Sequence, residues 1–90
     1  MLELVRTKQF RREYKKMLQR GKDKSKLETV LSKLMNEEPL EPKYRDHALN
    51  GNRQDERECH IEPDWLLIYK INNNELILTA LRTGTHSDLF

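Results

Sequence analysis

Ninety residues suffice for one domain with a modest core, and a chain this short has a narrow margin of stability. The hydrophobic and charged fractions are both 36%, but the apolar residues fall in periodic runs, which excludes a disordered chain; none of those runs nears the roughly 20 residues of a membrane helix. Net charge is only +2, yet residues 1–26 carry ten Lys/Arg against three Asp/Glu and residues 27–90 carry seven against twelve, so a basic N-terminal part joins an acidic remainder.

The N-terminus, Met1 to Arg6, lacks the charged-then-apolar pattern of a secretory signal. Leu2-Glu3-Leu4-Val5 alternates as a short strand does. Thr7 can cap a helix in which Phe10, Tyr14, Met17 and Leu18 form one apolar stripe, and Gly21 closes it. Lys8, Arg11, Arg12, Lys15 and Lys16 occupy the other faces. Such a basic face draws polyanions by counterion release, or is simply a solvated helix surface. Ser25-Lys26-Leu27-Glu28 reads as a capping box, with Asp23 as a competing cap. Leu27, Val30, Leu31 and Leu34 make a second stripe, and Pro39 and Pro42 stop the helix. Two helices joined by a few residues predict a helical hairpin.

The period then changes. Arg57, Cys59 and Ile61 alternate with Glu58, His60 and Glu62, as on a half-buried strand. Pro63-Asp64 is a turn, Trp65 to Ile71 is a strand too continuously apolar for a sheet edge, Asn72-Asn73-Asn74 is a loop, and Leu76 to Leu81 is the next strand. Short turns between these three strands predict an antiparallel meander, with both helices on one face and the other open to solvent. The expected fold is α+β, a single domain over residues 1–90.

Candidate chemistry lies in this second half. The three histidines, His47, His60 and His86, stand at element ends or on a polar strand face beside carboxylates or small polar residues. Histidine is the side chain best suited to move protons near neutral pH, although surface histidines are common. A tight turn at Glu62-Pro63 would bring Asp64 near His60, either to fix the imidazole's tautomer or as a polar pair that stabilises the hairpin. Spacings of 13 and 26 residues between the histidines match no zinc pattern, so no metal or other cofactor is expected. The lone Cys59 excludes an internal disulfide, fits the cytoplasm, and alternates onto the apolar face as a small buried hydrophobe rather than a nucleophile. Trp65 and Tyr69 read as core, while Trp65 could also offer a stacking face to a base. Phe90, the last residue, is either frayed or a plug for the core.

Three blocks resemble a known family. Tyr44-Arg45-Asp46-His47-Ala48-Leu49-Asn50-Gly51 resembles the DHxLxG segment of YafQ-like toxins. Arg57 to Tyr69 resembles their R-E/D-x-H-x-x-P-D-W/L-x-L-x-Y core, and Arg82 to Phe90 resembles their R-x-G-[ST]-H-x-x-L-F ending. Between Gly51 and Arg57 the pattern departs: Arg53 stands where tryptophan is common and Glu56 where tyrosine or phenylalanine is common.

The resemblance implies a RelE-like small domain of the RelE/ParE superfamily, with an N-terminal strand and helical hairpin packed on one face of an antiparallel sheet. It also implies a ribosome-dependent endoribonuclease that cuts mRNA in the A site by attack of the RNA 2′-hydroxyl. Carried onto this chain, the catalytic group falls on His47, His60, Asp64 and His86. His47 or His60 is expected as base, oriented by Asp64, and His86 as acid. Trp65 and Phe90 fall on substrate-placing positions, and Arg82 is expected, from the chemistry, to stabilise charge at phosphorus. The basic helix would grip ribosomal RNA. The acidic Asp55, Glu56, Glu58 and Glu62 suit an enzyme weak on free RNA that relies on the ribosome to present its substrate. The implied partner is a small acidic DinJ/RelB-like antitoxin, through which alone operator DNA would be met. Two other readings use the same fold: a ParE-like toxin that binds a protein such as gyrase without catalysis, and a degenerate member retained only for antitoxin binding.

Overall fold

Thr7 sets the first helix. In the computed structural model, which describes residues 1–53 and 55–90, its Oγ1 accepts the Phe10 N–H at 2.9 Å and donates to the Leu81 carbonyl at 2.9 Å. One hydroxyl thus caps α1 (Lys8–Gln19) and ties it to the sheet. At the other end Gly21, with φ +91°, lets the Gly21 and Lys22 N–H groups return to the Leu18 and Met17 carbonyls, a left-handed closure that glycine adopts without strain. Phe10 and Met17 are buried and Tyr14 partly so, but Leu18 is 36% exposed. It lies eight residues from Phe10, roughly 80° around the helix, and falls outside the covered arc.

α2 (Lys24–Met35) is capped by Asp23, whose Oδ1 accepts the Ser25 N–H at 2.9 Å. The competing cap therefore prevails over the Ser25–Glu28 box: Ser25 is already inside the helix, and Glu28 meets Lys24 at 3.6 Å instead. Leu27, Val30, Leu31 and Leu34 are all buried, as their spacing predicts.

Five strands form one sheet: β1 (Glu3–Arg6), β2 (His47–Ala48), β3 (Arg57–Glu62), β4 (Trp65–Asn72) and β5 (Ile77–Gly84), in the order β1-β5-β4-β3-β2. β3, β4 and β5 form the antiparallel meander that the turns predict. β1 runs parallel to β5 at one edge, and β2 extends the other antiparallel to β3. Central β4 is buried on both faces, which explains its unbroken apolar run. Trp65, Leu67 and Tyr69 join the helices' stripes in the main core, whereas Leu66 and Ile68 point the other way.

That second face is not left bare. A single helical turn, α3 (His86–Leu89), folds across it and sets Leu89 on Leu66 and Ile68, with Leu49 and Leu81 alongside. Gly84 permits the close approach, since a Cβ there would stand 2.9 Å from the Asp88 Cβ. Among the described residues no helix is long and apolar enough to cross a membrane.

Candidate active site

Alternation along β3 sorts its side chains. Cys59 and Ile61 enter the helix-side core, while Glu58 and His60 rise on the opposite face beside α3. Register pairs His47 of β2 with Glu58, so the two share that face. One Glu58 oxygen, Oε1, stands 3.5 Å from His47 Nε2 and 3.7 Å from His60 Nε2. The His60 and His86 ring centroids are 5.6 Å apart, and Asp64 closes the row by accepting both the His86 backbone N–H at 2.9 Å and its Nδ1–H at 2.6 Å. Five side chains thus run in sequence across the face: His47, Glu58, His60, His86 and Asp64.

Each imidazole is held in the same way. Nδ1 of His47 donates to the Arg45 carbonyl (2.7 Å), Nδ1 of His60 to the Pro63 carbonyl (3.2 Å), and Nδ1 of His86 to Asp64. A carbonyl can only accept, so the proton on Nδ1 is dictated by the partner and Nε2 is left for chemistry. Glu58 and His60 are nearly buried, at 6% and 8% exposure, and form the floor. His47, His86 and Asp64 are exposed and form an open rim that a polymer can reach. Hydrogen bonds from the His86 backbone and then its ring hold the Asp64 carboxyl below its usual 3.8, which keeps it ionised as an acceptor.

Several sequence expectations need correction. Asp64 orients His86 rather than His60, because the Pro63 carbonyl already occupies His60 Nδ1 and the Asp64 side chain reaches past the turn to α3. Trp65 has no face to offer a base: it is fully buried, and its Nε1–H donates to Thr83 Oγ1 at 2.9 Å. Arg82 is held by Glu13 through bonds of 2.6 and 3.2 Å, a link from β5 to α1 that takes up its charge. Phe90, by comparison, is 66% exposed, with its backbone N–H on the His86 carbonyl. Cys59 is fully buried, and burial pushes its thiol far above the thiolate range, so it is no nucleophile. Among the described residues no group of three or more His, Cys, Asp or Glu is arranged to hold a metal ion.

Glu58 is the site residue that sequence reasoning misses. By charge it groups with the acidic residues that repel RNA, although its position two before His60 already places both on one strand face. The other acidic residues are largely neutralised: Glu62 by Lys22 and Lys26 at 3.0 and 2.7 Å, and Glu56 by Arg53 at 3.2 Å.

α3 is too short to stand alone and is pinned at both ends. Asp64 holds its start, and Asp88 accepts two bonds from Arg20 beyond α1, at 2.6 and 3.2 Å. The Arg20 guanidinium and the Thr85 backbone hold the Asp88 carboxyl well below the usual range. Both carboxyls have folded pKa values lower than unfolded ones, so their contribution is complete above the ordinary aspartate value of 3.8 and fades as pH falls below it. We expect the Leu89 methyl resonances to report undocking of α3 in that acid range before the β4 amides lose protection. Simultaneous loss of both would refute the separate pinning.

Comparison with known proteins matches this architecture. The family model described as the YafQ bacterial toxin of a type II toxin-antitoxin system matches residues 2–90. The chain belongs to the YafQ toxin family. It is 41% identical over 83 residues to the mRNA interferase toxin YafQ of Escherichia coli K12, covering 91% of this chain and 88% of that protein. Among solved structures it superposes on a metal-bound toxin from Helicobacter pylori with a TM-score of 0.95 at 43% identity, covering 100% of both chains. On the E. coli DinJ-YafQ complex the TM-score is 0.92 at 37% identity, covering 100% of this chain and 99% of that one.

The segment that departs from the YafQ pattern is the loop after β2. Of Asn52 to Glu56, Gln54 lies outside the described residues. Around it Arg53 pairs with Glu56, the Glu56 N–H donates to the Arg53 carbonyl at 3.0 Å, and the Leu49 N–H donates to the Glu56 carbonyl at 2.9 Å.

Proposed function

We propose that this chain is the toxin of a type II toxin–antitoxin pair and acts in the cytoplasm as a ribosome-dependent endoribonuclease, an mRNA interferase silenced by a small acidic DinJ-like antitoxin. The observation that carries the reading is the row of three imidazoles, each with Nδ1 committed to an oxygen, and with Nε2 of His47 and His60 beside Glu58. Cleavage of RNA through its 2′-hydroxyl needs a base at that hydroxyl and an acid at the leaving 5′-oxygen. Nε2 of His60 or His47, beside Glu58, takes the 2′-proton, and the 2′-oxygen attacks phosphorus. The bond to the 5′-oxygen then breaks as His86 Nε2–H supplies a proton, leaving a 2′,3′-cyclic phosphate and a 5′-hydroxyl. Arg82 is tied to Glu13, so the phosphorane is faced by the His86 ring, which Asp64 holds through Nδ1, rather than by Arg82. The exposed Phe90 ring offers a stacking face to a base.

Lys8, Arg11, Arg12, Lys15 and Lys16 are all exposed on α1, and among the described residues none of them is in an ion pair. They are the proposed contact with ribosomal RNA. Replacing all five by glutamine should weaken ribosome binding without unfolding the protein. The slope of log K against log salt should become shallower by about 0.7–1 for each phosphate no longer neutralised, read by co-sedimentation at several salt concentrations. An unchanged slope would remove α1 from the interface.

The test of the whole reading maps mRNA 5′ ends after incubation with and without translating ribosomes. Cuts in phase with codons, seen only with ribosomes, are expected. Equal cutting of naked mRNA would overturn ribosome dependence, and toxicity without any cutting would favour a non-catalytic toxin that binds a protein target.

A further inference from the structure

β2 carries His47 to the site but is too short to hold itself there. It has two residues and two register pairs, His47 with Glu58 and Ala48 with Arg57. It is also approached through Arg45, a non-glycine residue in the left-handed region at φ 47°, whose carbonyl accepts His47 Nδ1–H. Such a conformation persists only where the surroundings over-determine it.

Those surroundings lie on the other side of the sheet. Asp46 immediately precedes His47, and adjacent residues of an extended chain project to opposite faces. Asp46 Oδ2 accepts Arg57 Nη2–H at 3.0 Å, and its Oδ1 accepts the Tyr69 hydroxyl at 2.5 Å with Arg57 Nε at 3.4 Å. Arg57 and Tyr69 are direct register partners on β3 and β4. Tyr69 is 1% exposed and belongs to the main core, so its hydroxyl is fixed by the buried central strand. The cluster floors a pocket lined also by Leu34, Leu40 and Ile71.

We propose that Tyr69, Arg57 and Asp46 form a positioning clamp for His47: gripping Asp46 from the helix side of the sheet fixes the Arg45–His47 backbone and sets the His47 imidazole against Glu58 on the other side. The clamp's effect on rate rests on the nuclease reading, but its effect on the His47 ring does not.

Tyr69→Phe removes one oxygen and keeps the ring. The ribosome-dependent kcat should fall about tenfold with KM for programmed ribosomes unchanged, since small misplacements of a reacting group cost this much or more. In imidazole-detected NMR spectra the His47 signals should move while those of His60 and His86 stay. Asp46→Asn, which keeps the acceptor oxygen for Tyr69, should lose less activity than Asp46→Ala. Folded Tyr69→Phe and Asp46→Asn proteins with unmoved His47 signals would overturn the clamp, as would a loss of thermal stability alone. Displaced His47 signals in a protein whose wild type cuts no ribosome-bound mRNA would uphold the clamp and reject the nuclease reading.

Discussion

Replacing His86 by alanine is expected to slow mRNA cleavage by about 10²–10⁴-fold while leaving ribosome affinity near that of the wild type. The size follows from its place. His86 is the one imidazole bound to a carboxylate through Nδ1, which anchors its ring on the exposed rim where a leaving group can reach it. The ring is exposed and fills no cavity, so its removal costs the core nothing directly. His86→Ala also leaves the backbone N–H on Asp64, and α3 remains docked through Leu89 and Asp88. Asp64→Asn should cost less, because the ring keeps an oxygen acceptor at Nδ1 and loses only the carboxylate's charge. Single-turnover cleavage on programmed ribosomes measures both. A His86→Ala protein that cuts at the wild-type rate would move the acid elsewhere or end the catalytic reading.

Trp65→Ala should act on folding rather than on substrate. Trp65 is fully buried at the start of the central strand, and truncating such a side chain costs about 3–5 kcal/mol, against a total margin of about 5–15 kcal/mol. It also leaves Thr83 Oγ1 without its donor, although that hydroxyl still donates to the Leu66 carbonyl at 2.7 Å. For a domain of this size the melting temperature should drop by more than about 10 °C. Activity should fall in proportion to the folded fraction, with KM unchanged for the molecules that remain folded. An unaltered melting temperature with a raised KM would show that Trp65 meets RNA, against its burial.

Much of the fold can be read from residue patterns because the physics there is local. The stripes of α1 and α2, the glycine closure at Gly21 and the alternation of β3 each need only neighbouring residues to be recognised. What escapes such reading is set by tertiary context. β2 is two residues long and has no period to detect. α3 exists because Leu89 finds Leu66 and Ile68, distant in sequence, and because Gly84 clears its path. The choice of Asp23 over Ser25 as cap turns on where α2 begins, which its capping signals leave open by two residues.

The candidate site divides along the same line. His47, His60 and His86 are visible as residues, and the blocks that resemble YafQ toxins tie them to Asp64. Their partners are not visible. The pairing of Asp64 with His86, of Glu58 with two rings, and of Arg82 with Glu13 depends on how distant elements dock. Trp65 shows the converse: a position implicated in activity suggests a contact with substrate, whereas in this chain its ring is buried and bonded to Thr83.

Acid–base cleavage by these imidazoles requires the RNA's own 2′-hydroxyl as nucleophile. Programmed ribosomes should therefore be given an mRNA with a single 2′-deoxynucleotide on the 5′ side of the phosphate that is normally cut, and the fragments followed on a sequencing gel. The cut at that phosphate should vanish while cuts at unmodified codons persist. An undiminished cut at the deoxy position would mean that another nucleophile attacks, and that the row from His47 to Asp64 does not do the chemistry assigned to it.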